Sequence, residues 1–544
     1  MPFNRKPLQR AVAAALLTAV ASGQPVYADD RESLETLRET TLNLINALVE
    51  QGVFTREKAD AMVKAAQAKA ASAVAAKPKA GAPVRVQYVP ETVKNEIREQ
   101  LRQEVLAQAK SERWAEPNAV PAWVDRLKWE GDLRVRYQMD SFASDNTKPL
   151  SYITAAAGGT TRAASFLSND TQHGPTANNT DDRERFRLRM RLGLLAKISD
   201  DWSAGVRLAT GSATDRVSTN QTLGQDFNKY TLSVDRAYIK YEPAEWLSVS
   251  GGRIPNPWFS TDLVWSENLN FEGFAATVKP VVGDGSFRPF LTVGTFPIRE
   301  DNMPSKRSRW LRAAQAGANW DMARNTRLTF GAALYDYDRL EGRIDGDPGL
   351  GPVSDFGQYE YSSSLRQKGN TLFLTDYNRT DAISPQYWGL ASRFRPVNLT
   401  ASLDLAHFDP VHVILTADYV KNTAFDRGEI LRRTGLNLVD GKDYGYLYKI
   451  AVGMPKLQKR HDWNVAFTYR YLGSDAVVDA FTDSDFGLGG TNLKGYILGF
   501  NYGLDPNAYV GLRWLSAQNI DSFSLNPAHK YAVDVLQADV NVRF

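Results

Sequence analysis

Four arginines at alternate positions, Arg185, Arg187, Arg189 and Arg191, are the residues of this chain best placed to do chemistry. Phe186, Leu188, Met190 and Leu192 interleave with them. In a β-strand that spacing puts all four guanidinium groups on one face, roughly 7 Å apart (twice the rise per residue). A guanidinium keeps its charge and offers several donors to a carboxylate or phosphate. Arg134 and Arg136 repeat the pattern, opposite Leu133, Val135 and Tyr137. The chemistry implied is electrostatic: a basic ladder past which an anion could move. Glu130, Asp132 and Glu184 lie on or beside the same faces. They could instead pair with the arginines and stiffen the wall, which leaves the sign of any charge selection open.

Bond-making chemistry finds little support. The chain has five histidines and no cysteine, so thiolate metal sites and disulfides are excluded. No His-Glu-x-x-His helix, Gly-x-Ser-x-Gly elbow or phosphate-binding glycine loop occurs. His407 and His412 flank Asp409-Pro410 and read as turn residues rather than a metal pair. No catalytic residue, metal or cofactor is expected.

The elements that must position the arginines are strands. From Leu127 to Phe544 the hydrophobic period is two, with further strand starts near Trp202, Thr231, Trp246, Phe271, Phe287, Trp310, Arg327, Leu399, Val411, Gly445, His461, Lys494, Ala508 and Tyr531. That makes about sixteen strands, an even number, as a single-chain bacterial membrane barrel requires. Short connections such as Asp409-Pro410 alternate with long ones such as 141–181, 339–396 and 473–491. Short turns belong in the periplasm and long loops outside. The 339–396 loop, with Tyr359, Tyr361, Tyr377 and Tyr387, is expected to pack outside on its neighbours; folding inward as a constriction is the alternative, and 141–181 is an equal candidate for that role. Trp129, Trp202, Tyr241, Trp246, Trp320, Trp463, Tyr509 and Phe544 fall near the short-turn ends, and Tyr137, Tyr335, Tyr471, Tyr496 and Trp514 near the other rim. Two aromatic girdles at the lipid interfaces are the expectation. The expected fold class is therefore an all-β transmembrane antiparallel barrel preceded by a small α-helical region. Outer-membrane lipid is then an obligatory partner.

Upstream, Arg5, Lys6 and Arg10 precede an apolar run from Ala11 to Ala21, and Val26-Tyr27-Ala28 offers a cleavage site. Residues 1–28 read as a signal peptide. Its removal takes the formal net charge from +3 to about zero, so no nucleic-acid partner is expected. Residues 29–76 read as a helical hairpin. Leu34, Leu37, Leu44 and Leu48 form a heptad-like seam, which is too small to bury a core alone and calls for a partner, most simply further copies of itself. Residues 77–126 read as a linker and a charged helix, before a barrel over 127–544.

The last nine residues, L-Q-A-D-V-N-V-R-F, alternate strictly, with Val540, Val542 and Phe544 on the apolar face. This closing strand resembles the C-terminal signature of bacterial outer-membrane proteins, which the barrel-assembly machinery reads. With V-R-V-Q-Y-V-P-E-T-V-K from Val84, W-A-E-P-N-A-V-P-A-W from Trp114, G-D-L-R-V-R from Gly131 and G-G-R-I-P-N-P-W-F from Gly251, the chain resembles Gram-negative outer-membrane porins that carry an N-terminal periplasmic helical, coiled-coil region. The resemblance implies a homotrimeric outer-membrane channel for small hydrophilic solutes or ions, without fixing the solute. The alternative is a tethering or adhesion barrel whose helical region binds the cell wall or a periplasmic partner.

Overall fold

A computed structural model describes residues 124–147, 153–157, 160–165, 178–301, 308–344, 357, 359–375, 387–435, 442–521 and 530–544. The signal-peptide, hairpin and linker expectations, with Leu34, Leu37, Leu44 and Leu48, lie outside the described residues, save for a 3-10 turn at Val124–Arg126.

Sixteen antiparallel strands close into a barrel. In chain order they begin with β1 (Leu127–Phe142), β2 (Arg183–Lys197), β3 (Trp202–Ala209) and β4 (Ser233–Ala244). β5 (Leu247–Pro255), β6 (Asn270–Val278), β7 (Phe287–Arg299) and β8 (Arg309–Ala323) follow. Then come β9 (Thr326–Asp338), β10 (Pro396–Phe408), β11 (Val411–Asn422) and β12 (Tyr444–Gly453). β13 (Trp463–Leu472), β14 (Leu493–Asp505), β15 (Ala508–Asn519) and β16 (Ala532–Arg543) complete it. Each expected strand start lies within three residues of the observed one.

Closure is made by β1, which pairs with β2 on one side and β16 on the other, Val135 opposite both Leu188 and Val540. A closed sheet leaves no unpaired edge for lipid to strand, which is why alternating sequences of this kind can span a bilayer. Phe544 seals the seam. Its backbone exchanges hydrogen bonds of 2.9 and 3.0 Å with Gly131. Its ring covers Gly131, where an added Cβ would come within 2.6 Å of it. The final aromatic therefore fits because its neighbour has no side chain.

Alternation sorts the two faces. Leu133, Val135, Phe186, Val540 and Val542 are exposed on the outside, as a lipid band requires. Trp202 stacks on Tyr241 at 4.5 Å near the short-turn end, and Phe287 meets Trp320 edge-on at 6.3 Å. Tyr335 departs from the expected girdle. It is fully buried while its neighbour Leu334 is 42% exposed, so Leu334 takes the lipid position and the ring points inward.

The inside is not simply wet. The 256–269 loop between β5 and β6 folds back into the barrel. Its Trp258 packs on inward-facing Phe271, Phe296 and Tyr335, with ring centroids 5.5 to 6.4 Å apart. Gln315 of β8 holds this loop as a strand partner would: it accepts from the Phe259 amide at 2.8 Å and donates to the Phe259 carbonyl at 2.7 Å. The described parts of the 339–395 loop also turn inward, contrary to expectation. Tyr361, Leu372, Phe373 and Leu390 are buried, and the Tyr337 amide donates to the Phe394 carbonyl. Short strands at Leu372–Leu374 and Trp388–Leu390 join Ile153–Ala157 and Thr160–Ser165 in a small sheet. The two loops expected to compete for the constriction thus pair with each other. A single α-helix among the described residues, α1 (Arg427–Thr434), caps on Asp426 and ends on a left-handed Gly435.

Candidate permeation site

All six arginines lie on the inward face of β1 and β2, in register as Arg134 opposite Arg189 and Arg136 opposite Arg187. Like charges directly opposed are destabilising unless carboxylates intervene, and carboxylates do. Asp132 accepts from Arg189 Nε at 2.8 Å and from Arg191 Nε at 2.6 Å. Asp140 pairs with Arg185 at 2.8 Å. Asp539 of β16 takes Arg136 bidentately at 2.7 and 2.8 Å and lies 3.8 Å from Arg134. Arg134 also donates to Asn220 of the 210–232 loop at 2.5 Å. Glu130 lies at the short-turn end of the same face, against Gly193.

Pairing is therefore extensive, but of the carboxylates named from the sequence only Asp132 takes part among the described contacts; Asp140, Asp539 and Asp485 supply the rest. Arg187 escapes it. Its one hydrogen bond goes to the Gln138 amide oxygen at 3.3 Å, and its buried Nε has no acceptor among the described residues.

Asp485, Asp539, Arg207 and Arg513 were not singled out from the sequence. Asp539 was the most legible of them, standing on the wet face of the closing strand. Arg207 pairs with Asp235 at 2.6 Å on the next wall. Asp485 comes from the 473–492 loop, which reaches across the barrel interior. It accepts from Arg136 at 3.0 Å and from Arg513 at 3.1 Å. Burial opposes its charge, yet Arg136 and Arg513 hold its carboxyl well below the usual range. Asp483 beside it is raised by burial, with Asp485 and Asp262 adding to the effect, to about 6. Acidic loop tips thus face a basic wall.

The same loop is anchored from behind. Asp475 accepts from Thr371 Oγ1 at 2.6 Å, and Asn370 donates to the carbonyls of Ser474 and Val477 at 2.6 and 2.9 Å. Asp479 accepts from the Tyr361 hydroxyl and from the Gln367 amide. Burial nonetheless pushes its carboxyl up to about 7. Towards the short-turn end, below the 256–269 loop, a cavity of about 380 Å³ is lined by polar residues including Lys240, Ser250, Thr292, Gln315 and Asn319. Among the described residues no group of acidic and histidine side chains could hold a metal ion. His412 bonds to Asp404 at 2.7 Å, and His407 lies 3.2 Å from Thr326.

A closed sixteen-strand barrel with an apolar outer band and charged inner wall defines the class of transmembrane β-barrel channels. The sequence model of the family described as "Putative porin" matches residues 38–544. The chain belongs to that family and is an outer-membrane porin. Three solved structures similar in fold are Salmonella typhi OmpF in complex with daunomycin, the outer-membrane channel DcaP of Acinetobacter baumannii, and a loop L8 deletion mutant of Vibrio cholerae OmpT. They are 10, 13 and 8% identical, with TM-scores of 0.38, 0.36 and 0.37. Each alignment covers 77% of this chain, and 97, 97 and 99% of the respective neighbours. No curated protein matches the chain.

Proposed function

We propose that this porin passes small hydrophilic solutes with a bias towards anions, and that Arg134, Arg136, Arg185, Arg187, Arg189 and Arg191 line its path together with Glu130 and Asp132. The observation that carries the reading is Arg187. Each of its neighbours contacts a carboxylate, with Arg189 and Arg191 sharing Asp132, whereas its own guanidinium hydrogen-bonds only to an amide oxygen. A cation crossing that level meets a guanidinium whose carboxylates, Asp485 foremost, act on it only from beyond ion-pair contact; an anion meets a donor. The paired arginines shape the wall, and Asp132 and Glu130 temper the field towards the short-turn end.

Three further parts of the reading rest on sequence. The Leu34, Leu37, Leu44 and Leu48 seam joins three copies in the periplasm. The face of Val540, Val542 and Phe544 is recognised by the barrel-assembly machinery. Residues 1–28 direct export.

The test is to replace Arg187 and Arg189 with Ser and measure reversal potential in a potassium chloride gradient. The expected result is a shift towards the potassium equilibrium value with a comparable conductance. An unchanged potential and conductance would show that this face does not govern permeation.

A further inference from the structure

The outside of the barrel carries a second charged feature, on the side built from β8 to β14. Two open apolar grooves of about 570 and 430 Å³ lie there side by side. They share Ala401, Ala417 and Tyr448, whose neighbouring small and large side chains leave a hollow in the lipid-facing wall. Above them, towards the long-loop end, Tyr444 and Tyr446 each stack on Tyr471, with ring centroids 5.5 and 5.1 Å apart.

Two lysines flank this tyrosine platform. Lys421 stands opposite Tyr444 in the ladder, and Lys494 opposite Tyr471. Both share the outward face, since Tyr419 and Tyr496, two residues from each, are 40 and 47% exposed. The Lys421 side chain is itself 54% exposed, and its nearest carboxylate, Asp443, is 3.9 Å away. Lys494 has no ion-pair or hydrogen-bond partner among the described residues. The lysines are separated by three strand spacings, about 14 Å across the sheet.

We propose that this face binds a phosphate-bearing lipid of the outward leaflet, with acyl chains in the alanine-lined grooves and its phosphate held by Lys421 and Lys494. Short turns face the periplasm, so the long-loop end meets the outer leaflet. An ammonium at the edge of hydrocarbon snorkels to the headgroup level, where a counter-charge is a favourable partner. Phosphate supplies it, and tyrosine hydroxyls add donors. A zwitterionic headgroup would bring its own cation to the lysines. An apolar wall from a second copy would leave Lys494 without a counter-charge and Lys421 with only Asp443 at 3.9 Å.

The test uses the full-length protein in detergent and native mass spectrometry. The probes are diphosphorylated lipid A and its dephosphorylated form. The wild type is expected to retain the diphosphorylated probe about tenfold better, the scale of one or two charge-assisted contacts. K421Q/K494Q should lose that preference while keeping its conductance and its gel-mobility shift on heating, which report a folded barrel. A417W, which fills both grooves, should lose retention of either probe. Equal retention of the two probes by the wild type, or an undiminished preference in K421Q/K494Q, overturns the proposal. So does a wild-type oligomer that A417W dissociates, because the face would then belong to a second copy.

Discussion

Arg136 joins two strands and a loop through one guanidinium. It binds Asp539 with two nitrogens and Asp485 with the third. Replacing it with Ala would cut the link between Asp539 and Asp485, leaving Asp485 to Arg513 at 3.1 Å and Asp539 to Arg134 at 3.8 Å. Removing one partner of a buried pair costs about 3–5 kcal/mol when the remaining charge is stranded, and these two arginines hold the cost here below that. Arg136→Ala should therefore lower the temperature at which the folded gel mobility is lost, and should loosen the 473–492 loop. Arg187→Ala should cost much less, since only one amide contact disappears. The ladder's residues were legible in the sequence because a period of two opposite a lipid-facing apolar row leaves the arginines no outward alternative. Their partners were not. Asp485 is 349 residues from Arg136, and no local pattern ties a loop aspartate to a particular wall.

At the scale of elements, the 473–492 loop depends on a carboxyl that burial keeps protonated. Asp479 holds its proton to about pH 7 in the packed loop, but would ionise near ~3.9 once the loop opened into water. Opening therefore releases a proton between those values, and the packed loop loses stability as pH rises from about 4 to about 7. Lys368, pulled down by burial to about 7, acts the other way above that pH. Hydrogen exchange of the loop amides should accelerate as pH is raised through the lower window, after correction for intrinsic rates. Asp479→Asn should reduce that rise, leaving the share due to Asp483, which burial raises to about 6; an identical pH profile in the variant would rule out the Asp479 carboxyl as a cause. The strands themselves were readable to within a few residues, because lipid on one side and protein interior on the other enforce strict alternation. The inward loops were not readable. Trp258, Trp265 and Tyr335 carry no periodic mark separating an interior aromatic from a girdle aromatic, and only the closed barrel shows which way each points.

The whole molecule joins a porin barrel to an upstream region whose sequence carries an apolar seam. If that seam holds copies together, Leu37→Asp with Leu44→Asp should shift the cross-linked species of the full-length protein from trimer to monomer, with the barrel still folded by gel mobility. A trimer that persists would assign assembly to the barrel walls. The central claim is that the barrel, despite its inward loops, remains an open path whose arginine wall favours anions. The most direct measurement is the single-channel current of the purified wild type in a planar bilayer under a potassium chloride gradient. The account predicts discrete conductance steps and a reversal potential displaced towards the chloride equilibrium value. A barrel that inserts but gives no steps, or one whose potential lies on the potassium side, would contradict it.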